Sequence, residues 1–139
     1  MGCHVGGSAA EILARPAFIV STTRREAELV TVSAAALGFE TDTVTLAAIY
    51  ERARRLGLGI AAAEIGPQLR LQYLDQPMGE FLIIGMDPIK TWSGEEVILN
   101  VANGGAGLIL IGQDGSAGAA ISVTSRFVFE RPNETALVD

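Results

Sequence analysis

The apolar positions in the first half of the chain recur with a helical period. Between residues 43 and 56 they fall at steps of three and four, which predicts an amphipathic helix packed on a core. Asp42 or Thr43 would cap this helix, and Gly57 would end it. The apolar positions concerned are Leu46, Ile49, Ala53 and Leu56.

Another helix is predicted before it, from about Glu26 to Leu37. Thr23 followed by Glu26 matches the S/T-x-x-E capping box, in which each side chain satisfies the other residue's backbone N–H. Gly38 would supply the left-handed residue that commonly follows a helix. A short helical turn is also predicted over residues 61–65.

Beyond Gly66-Pro67 the pattern alternates, which predicts β-strands. Residues 69, 71 and 73 are apolar or aromatic, and a turn follows at 75–79. The run Phe81–Met86 is apolar except at Gly85 and therefore predicts a central strand that is covered on both faces. Further strands are predicted at 97–102, 108–111 and 121–129, with turns at Trp92–Gly94, Asn103-Gly104 and Gln113–Gly115.

Helices first and strands later predict an α+β fold in a single domain, residues 1–139. We expect two N-terminal helices packed on a curved antiparallel β-meander of about five strands, a small barrel-like sheet, because the short turns leave no room for parallel crossovers. The helices would cover one sheet face, and sheet curvature or a second subunit the other. The expected parts are a partly mobile N-terminus (1–20), a helical part (22–66), the sheet (67–131) and a tail (132–139).

Composition and charge exclude several kinds of site. The chain has 139 residues but one Cys and one His, which excludes an internal disulfide, a Cys-based metal site and a multi-His metal site. We therefore predict no metal and no cofactor. The net charge of −6 comes from residues 73–139, whereas duplex-binding proteins carry a basic field. We expect no nucleic-acid partner, although Arg52, Arg54 and Arg55 form a local basic cluster.

The sequence contains no recognisable targeting signal or membrane-spanning segment. The longest strongly apolar run, Phe81–Met86, is far short of the ~20 residues that cross a bilayer, and Met1–Gly6 fits neither a secretory nor a myristoylation signal. We expect a cytoplasmic protein without membrane contact. The mean hydropathy of +0.36 predicts more apolar surface than one small core buries, and hence a homo-oligomer such as a homodimer.

Arg70 is the residue that most needs explanation. If the following turn closes a hairpin in simple register, Arg70 lies opposite Ile84 and Gln72 opposite Leu82, on an apolar sheet face. Burying a guanidinium has a high desolvation cost unless an anion or hydrogen-bond acceptor pairs with it. Two interpretations stay open: an internal ion pair, for example with Glu64, or an anchor for an anionic or carbonyl-bearing ligand.

These residues predict a non-enzymatic ligand-binding or protein-interaction module with a cleft around Arg70, and with a small molecule or a protein as partner. The alternative is a small hydrolase or isomerase in which Glu64 acts with Arg70 as electrostatic stabiliser. Phosphate-binding loops and nucleophile elbows are absent from the sequence. The predicted binding residues are Glu64, Arg70, Gln72, Tyr73 and the turn residue Trp92, with Glu64 the candidate catalytic group.

The segment EIGPQLRLQY at residues 64–73, followed by DQP at 75–77 and GE at 79–80, resembles a recurring segment of small bacterial proteins without established activity. Residues 49–58 and 126–129 are similar to the same group. The chain departs from it at Ala62-Ala63, where a Cys-Pro-like start is expected, and at Asp87, where Glu is expected. The resemblance implies a shared fold and a bacterial origin, and it carries over no catalytic residue. Separately, we expect a mobile-element gene.

Overall fold

The computed structural model describes residues 3–13 and 28–131, and within them it has three α-helices and nine β-strands. A 3₁₀ turn at Ala35–Leu37 follows the second strand. None of the helices in these ranges is both long and apolar enough to cross a membrane. The helices are α1 (Gly7–Leu13), α2 (Leu46–Arg55) and α3 (Ile65–Gln72), and the strands are β1 (Cys3–Val5), β2 (Leu29–Ser33), β3 (Thr43–Thr45), β4 (Phe81–Ile84), β5 (Ile89–Lys90), β6 (Glu96–Asn103), β7 (Leu108–Asp114), β8 (Ala120–Ser122) and β9 (Arg126–Glu130).

The α+β class is confirmed, but the sheet is an open mixed sheet rather than an antiparallel meander that curls into a barrel. Its strand order is β1-β7-β6-β4-β9-β2, β5 pairs with β6, and β3 pairs with β8 in a separate two-stranded sheet. Most pairs are antiparallel, whereas β1–β7 and β4–β9 are parallel. Parallel pairing is possible here because the partners are far apart in sequence, so several other elements make the crossover.

The predicted central strand is confirmed. β4 lies between β6 and β9, and its residues Leu82, Ile83 and Ile84 are all buried. The hairpin predicted at Asn103-Gly104 joins β6 to β7, with Asn103 paired to Leu108. The strand predicted over residues 121–129 is two strands, β8 and β9, in different sheets.

Each face of the large sheet has its own cover. On one side, here called the α3 face, a Cβ at Gly66 of α3 would lie 2.8 Å from Leu99 of β6, and α1 packs on β6 and β7. On the other side, the α2 face, the ring of Tyr50 packs edge-on against Phe127 and Phe129 of β9. The Tyr50 hydroxyl also donates to the Met86 carbonyl oxygen at 2.7 Å. The sheet is therefore the middle layer.

The helix predicted over Glu26–Leu37 is wrong where the structure describes it. Residues 29–33 form β2, an edge strand antiparallel to β9, and only the 3₁₀ turn at Ala35–Leu37 is helical. The three residues Val30, Thr31 and Val32 are all β-branched, which favours a strand. Gly38 does adopt a positive φ of 104° after the turn, as predicted. The capping box at Thr23 and Glu26 lies outside the described residues.

The strand predicted at residues 69–73 is also wrong, because this segment is α3. Pro67 is the third residue of the helix, where its missing N–H is not needed. The buried stripe of α3 is Ile65, Gly66 and Arg70, with Leu69 half-buried, which is a helical period. Because the buried residue Arg70 is not apolar, the apolar and aromatic residues of 69–73 fall at every second position, and this pattern predicts a strand.

The second predicted helix is confirmed as α2, with the cap two residues later than expected. Thr45 is the N-cap, and its hydroxyl oxygen accepts a hydrogen bond from the Ala48 N–H at 3.3 Å. Thr43 and its neighbours belong to β3 instead. Part of the expected mobile N-terminus is also structured, because β1 pairs with β7 and α1 buries Ala9 and Ile12.

Candidate functional site

An open cleft of about 750 Å³ lies on the α2 face of the sheet, where α2 does not cover it. Its floor comes from β4, β6 and β7, one wall from the turn after α3, and the other wall from β8 and the start of β9. The lining mixes apolar and polar side chains, as small-molecule sites commonly do. The lining residues are Pro77, Met78, Gly79, Glu80, Phe81, Ile83, Asn100, Gln113, Ala120, Ile121, Ser122, Thr124, Ser125 and Arg126.

Arg70 lies behind the first wall and is only 2% exposed. Among the described residues, its Nη1 donates to Gln76 Oε1 at 2.7 Å, to the Ala102 carbonyl oxygen at 2.9 Å and to the Ile109 carbonyl oxygen at 3.2 Å. Its Nη2 donates to the Tyr73 carbonyl oxygen at 2.6 Å. The planar guanidinium thus joins the end of α3 to β6 and β7.

Gln76 extends this network into the wall of the cleft. Its Nε2 donates to the Val101 carbonyl oxygen at 3.0 Å and to the Glu80 carboxylate at 3.2 Å. Its own backbone oxygen accepts from Asn103 Nδ2 at 2.9 Å. Gln76 is 4% exposed, so these bonds are shielded from water. The residues that follow it, 77–80, are therefore held against the sheet from behind.

Glu80 is an acidic residue of this wall and lies in the lining of the cleft. The Tyr73 hydroxyl donates to the Glu80 carboxylate, and this hydrogen bond raises the pKa of Tyr73 above its usual value of 10.0. Across the rim, Arg126 Nη1 lies 3.9 Å from Glu80 Oε2, a distance at the limit of an ion pair. Glu80 is therefore an acceptor for several neighbours.

Two amide side chains form the polar part of the floor. Asn100 of β6 donates from Nδ2 to Gln113 Oε1 of β7 at 2.8 Å. Asn100 is 6% exposed, and its Oδ1 is buried without a hydrogen-bond partner among the described residues. Buried polar atoms are nearly always paired in native proteins, so this oxygen needs a partner from outside the described residues, either water or a ligand.

The structure brings only some of the predicted site residues together. Arg70 and Tyr73 are in contact through the Tyr73 carbonyl oxygen, whereas Glu64 is the N-cap of α3, six residues and about 9 Å of helix rise before Arg70. Gln72 is exposed on α3. Trp92 is 79% exposed in the turn between β5 and β6, and its backbone N–H donates to the Glu11 carboxylate of α1 at 2.7 Å. None of the five is in the lining of the cleft.

The predicted register for Arg70 and Gln72 is wrong. Leu82 pairs with Val101 of β6 and with Arg126 of β9, so no strand from residues 69–73 lies beside β4. Arg70 reaches the sheet from a helix packed on it. The hydrogen bonds described for its guanidinium go to neutral oxygens, and the Glu80 carboxylate enters the network only through Gln76.

Sequence reasoning did not identify Asn100, Gln113, Gln76 or Glu80 as site residues. A signal was present for Asn100, because it is the one polar residue inside the apolar run Val97–Ala102. An amide in the middle of a strand that is otherwise buried needs a partner, and that requirement can be stated without coordinates. Gln113 carries no such signal, since it follows the apolar part of β7 and reads as a turn residue.

Two arginines of the basic cluster on α2 are used within the chain. Arg52 donates from Nη1 to the Leu37 carbonyl oxygen at 2.8 Å, and its guanidinium lies 4.7 Å from the centre of the Phe39 ring. Arg55 pairs with Glu51 at 2.7 Å on the surface. These contacts explain Arg52 and Arg55 without a nucleic-acid partner.

We expect Arg70→Ala to lower the free energy of unfolding by about 3 kcal/mol or more, because it removes several buried, charge-assisted hydrogen bonds and leaves their carbonyl acceptors unpaired. Arg70→Lys should lose less, since it keeps the charge but not the planar fork. The measurement is urea unfolding. The control is Arg55→Ala, whose exposed ion pair should matter by less than about 0.5 kcal/mol; equal losses in both variants would contradict the structural role.

The hydrogen bond to Glu80 should make Tyr73 resist ionisation. In a Tyr50→Phe background, which leaves Tyr73 as the only tyrosine, we expect its tyrosinate absorbance to develop above the usual pKa of 10.0. Adding Glu80→Gln should move the midpoint back towards that value. Because the folded-state pKa is raised, this stabilisation is complete below the unfolded pKa and is lost as the pH rises through the folded pKa. An unchanged midpoint in Glu80→Gln would refute the contact.

Comparison with known proteins finds no family model, no curated protein and no solved structure that matches the chain. The resemblance of residues 64–80 to small bacterial proteins therefore stays a prediction.

Proposed function

We propose that this chain is a non-enzymatic ligand-binding or protein-interaction module, and that its ligand occupies the cleft in front of the wall that Arg70 and Gln76 support. The observation that carries the proposal is the buried Asn100 oxygen, which has no hydrogen-bond partner among the described residues and lies in the cleft floor. Arg70 acts in this proposal as a positioning residue, since it holds the turn 77–80 without lining the cleft.

The construction of the cleft supports a binding role. Gln76 and Arg70 fix the wall through buried hydrogen bonds, so the site is largely formed before a ligand arrives, which lowers the ordering cost of binding. Phe81 is 44% exposed and Ile83 is buried beneath the cleft, which gives a ligand apolar surface to cover. The volume falls in the ~300–1,000 Å³ range of small-molecule sites.

A hydrolase or isomerase that uses Glu64 with Arg70 has less support. An acid and its electrostatic stabiliser must act on the same substrate. Glu64 and Arg70 lie at opposite ends of α3, and Arg70 is covered by the wall. In the cleft lining the titratable side chains are Glu80 and Arg126, and Glu80 already accepts hydrogen bonds from Tyr73 and Gln76. We therefore prefer binding to catalysis.

The cleft can be tested with three small probes, indole, uracil and cyclohexanone, on the full chain. We expect at least one of them to cause saturable shifts in the backbone amide resonances of residues 77–83 and 120–126. Ala120→Trp, which places a large ring on an exposed lining position, should weaken that probe by about tenfold or more, equivalent to ~1.4 kcal/mol.

Gln68→Trp is the matched control, because Gln68 is exposed on α3 and lies on the other side of the sheet from the cleft. It should leave the binding of the probe unchanged. If no probe produces saturable shifts at the cleft, or if Ala120→Trp and Gln68→Trp behave alike, the cleft is not the binding site.

We also propose self-association, together with the bacterial origin and the cytoplasmic location expected from the sequence. Three large apolar side chains in the last turn of α3 and the residues after it are exposed to solvent: Leu71 at 64%, Leu74 at 51% and Met78 at 75%. Apolar exposure concentrated on one short segment is typical of an interface. A second copy of the chain would cover this surface.

Light scattering should therefore give the mass of a homo-oligomer, and Leu71→Ser with Leu74→Ser should reduce it towards that of one chain. Leu56→Ser is the control, because Leu56 is equally exposed at the end of α2 but distant in sequence from this segment. A mass equal to one chain for the unmodified protein would end the self-association proposal and would leave the cleft proposal unaffected.

A further inference from the structure

Asn100 lies in the floor of the cleft among apolar neighbours. Its register partners are Ile83 on β4 and Ile111 on β7. The residues two positions away on the same strand and face are Ile98 and Ala102, both fully buried. Apart from Gln113, the amide therefore lies among hydrocarbon side chains.

Stability does not explain an asparagine at this position. Its one described hydrogen bond goes to Gln113, and its Oδ1 is buried without a partner among the described residues. Leaving a buried acceptor unsatisfied costs about 1–3 kcal/mol, whereas an apolar side chain of similar shape would carry no such cost. A ligand that donates a hydrogen bond in the cleft would remove the cost.

The hydrogen bond between the two amides determines what they still offer. With Asn100 Nδ2 donating to Gln113 Oε1, the remaining groups are the Asn100 Oδ1 acceptor and the Gln113 Nε2 donor. Exchanging nitrogen and oxygen in both amides reverses the bond and again leaves one donor and one acceptor. A small rotation of the Asn100 amide, about a torsion with a broad energy minimum, brings the buried oxygen towards the cleft while the hydrogen bond to Gln113 is kept.

We infer that this amide pair recognises a planar ring with an N–H group next to a carbonyl group, that is, a lactam or imide edge. Such an edge supplies one donor and one acceptor side by side, which matches what Asn100 and Gln113 leave available. Phe81 lies on the same sheet face, two residues before Ile83, and offers a ring for stacking. The inference rests on the proposed function, because it names the ligand class of the same cleft.

The first test compares uracil with 1,3-dimethyluracil, and 2-pyrrolidinone with N-methyl-2-pyrrolidinone. Each pair has the same ring and carbonyl groups, but the methylated compound has no N–H. We expect saturable amide shifts at residues 79–83 and 100 with at least one N–H compound. Its methylated counterpart should bind about tenfold more weakly or worse, since the Asn100 oxygen then meets no donor.

The second test separates recognition from structure. The double variant Asn100→Leu with Gln113→Leu should be at least as stable in urea as the unmodified chain, because both partners of the hydrogen bond become apolar. It should also bind a methylated compound and its N–H counterpart equally. Asn103→Leu is the control, since Asn103 donates to the Gln76 backbone oxygen on the supporting wall. That variant should lose stability and keep the discrimination.

The outcomes distinguish the two proposals. Equal binding of the N–H and methylated compounds would overturn the lactam or imide inference while the cleft remains a binding site. A double variant that loses as much stability as Asn103→Leu would show that the amide pair is structural, which also overturns the inference. Absence of saturable shifts with indole, uracil and cyclohexanone would contradict the proposed function itself.

Discussion

The guanidinium of Arg70 is the interaction on which the rest of the site depends. One side chain from the last turn of α3 reaches carbonyl oxygens of Ala102 and Ile109 on two adjacent strands, and it also holds Gln76. A lysine has no such fork of donors, and an apolar residue would leave these oxygens buried and unpaired. The position of α3 on the sheet and the path of the turn after it are thus determined together, and one wall of the cleft follows from both.

The same side chain explains why the sequence could be interpreted only in part. Arg70 was recognisable as a charge among apolar residues, and a buried charge needs partners. Its described partners are mostly backbone carbonyl groups. Because every residue has a backbone carbonyl group, no pattern of residue types indicates which of them will bind the guanidinium. Because the expected partner was an anion, Glu64 was the natural candidate, although it lies at the far end of the helix. Identifying the partners required the packing of α3 on the sheet.

Prediction succeeded where the signal is local. The amphipathic period of α2, the uninterrupted apolar run of β4 and the turn at Asn103 each depend on residues within about one element of each other. It failed for two local patterns, because residues 29–33 form β2 and residues 69–72 belong to α3, and it also failed where distant segments meet. The pairing of β2 with β9, the parallel pairing of β4 with β9, and the Asn100–Gln113 contact depend on sheet order, which turn residues do not encode. The cleft belongs to this second class, since its walls come from separate parts of the chain.

The place of β9 in the sheet has a consequence for how the protein is made. β9 lies between β4 and β2 in the sheet, so both strands pair with β9 and they do not pair with each other. A ribosome therefore releases almost the whole described sequence before the edge strand β2 can join the sheet, and the stacked rings of Phe127 and Phe129 arrive with the same late strand. Long-range pairings of this kind slow folding. Until β9 emerges, the nascent chain carries an incomplete sheet in which β4 has an unpaired edge, and unpaired strand edges favour association with other chains.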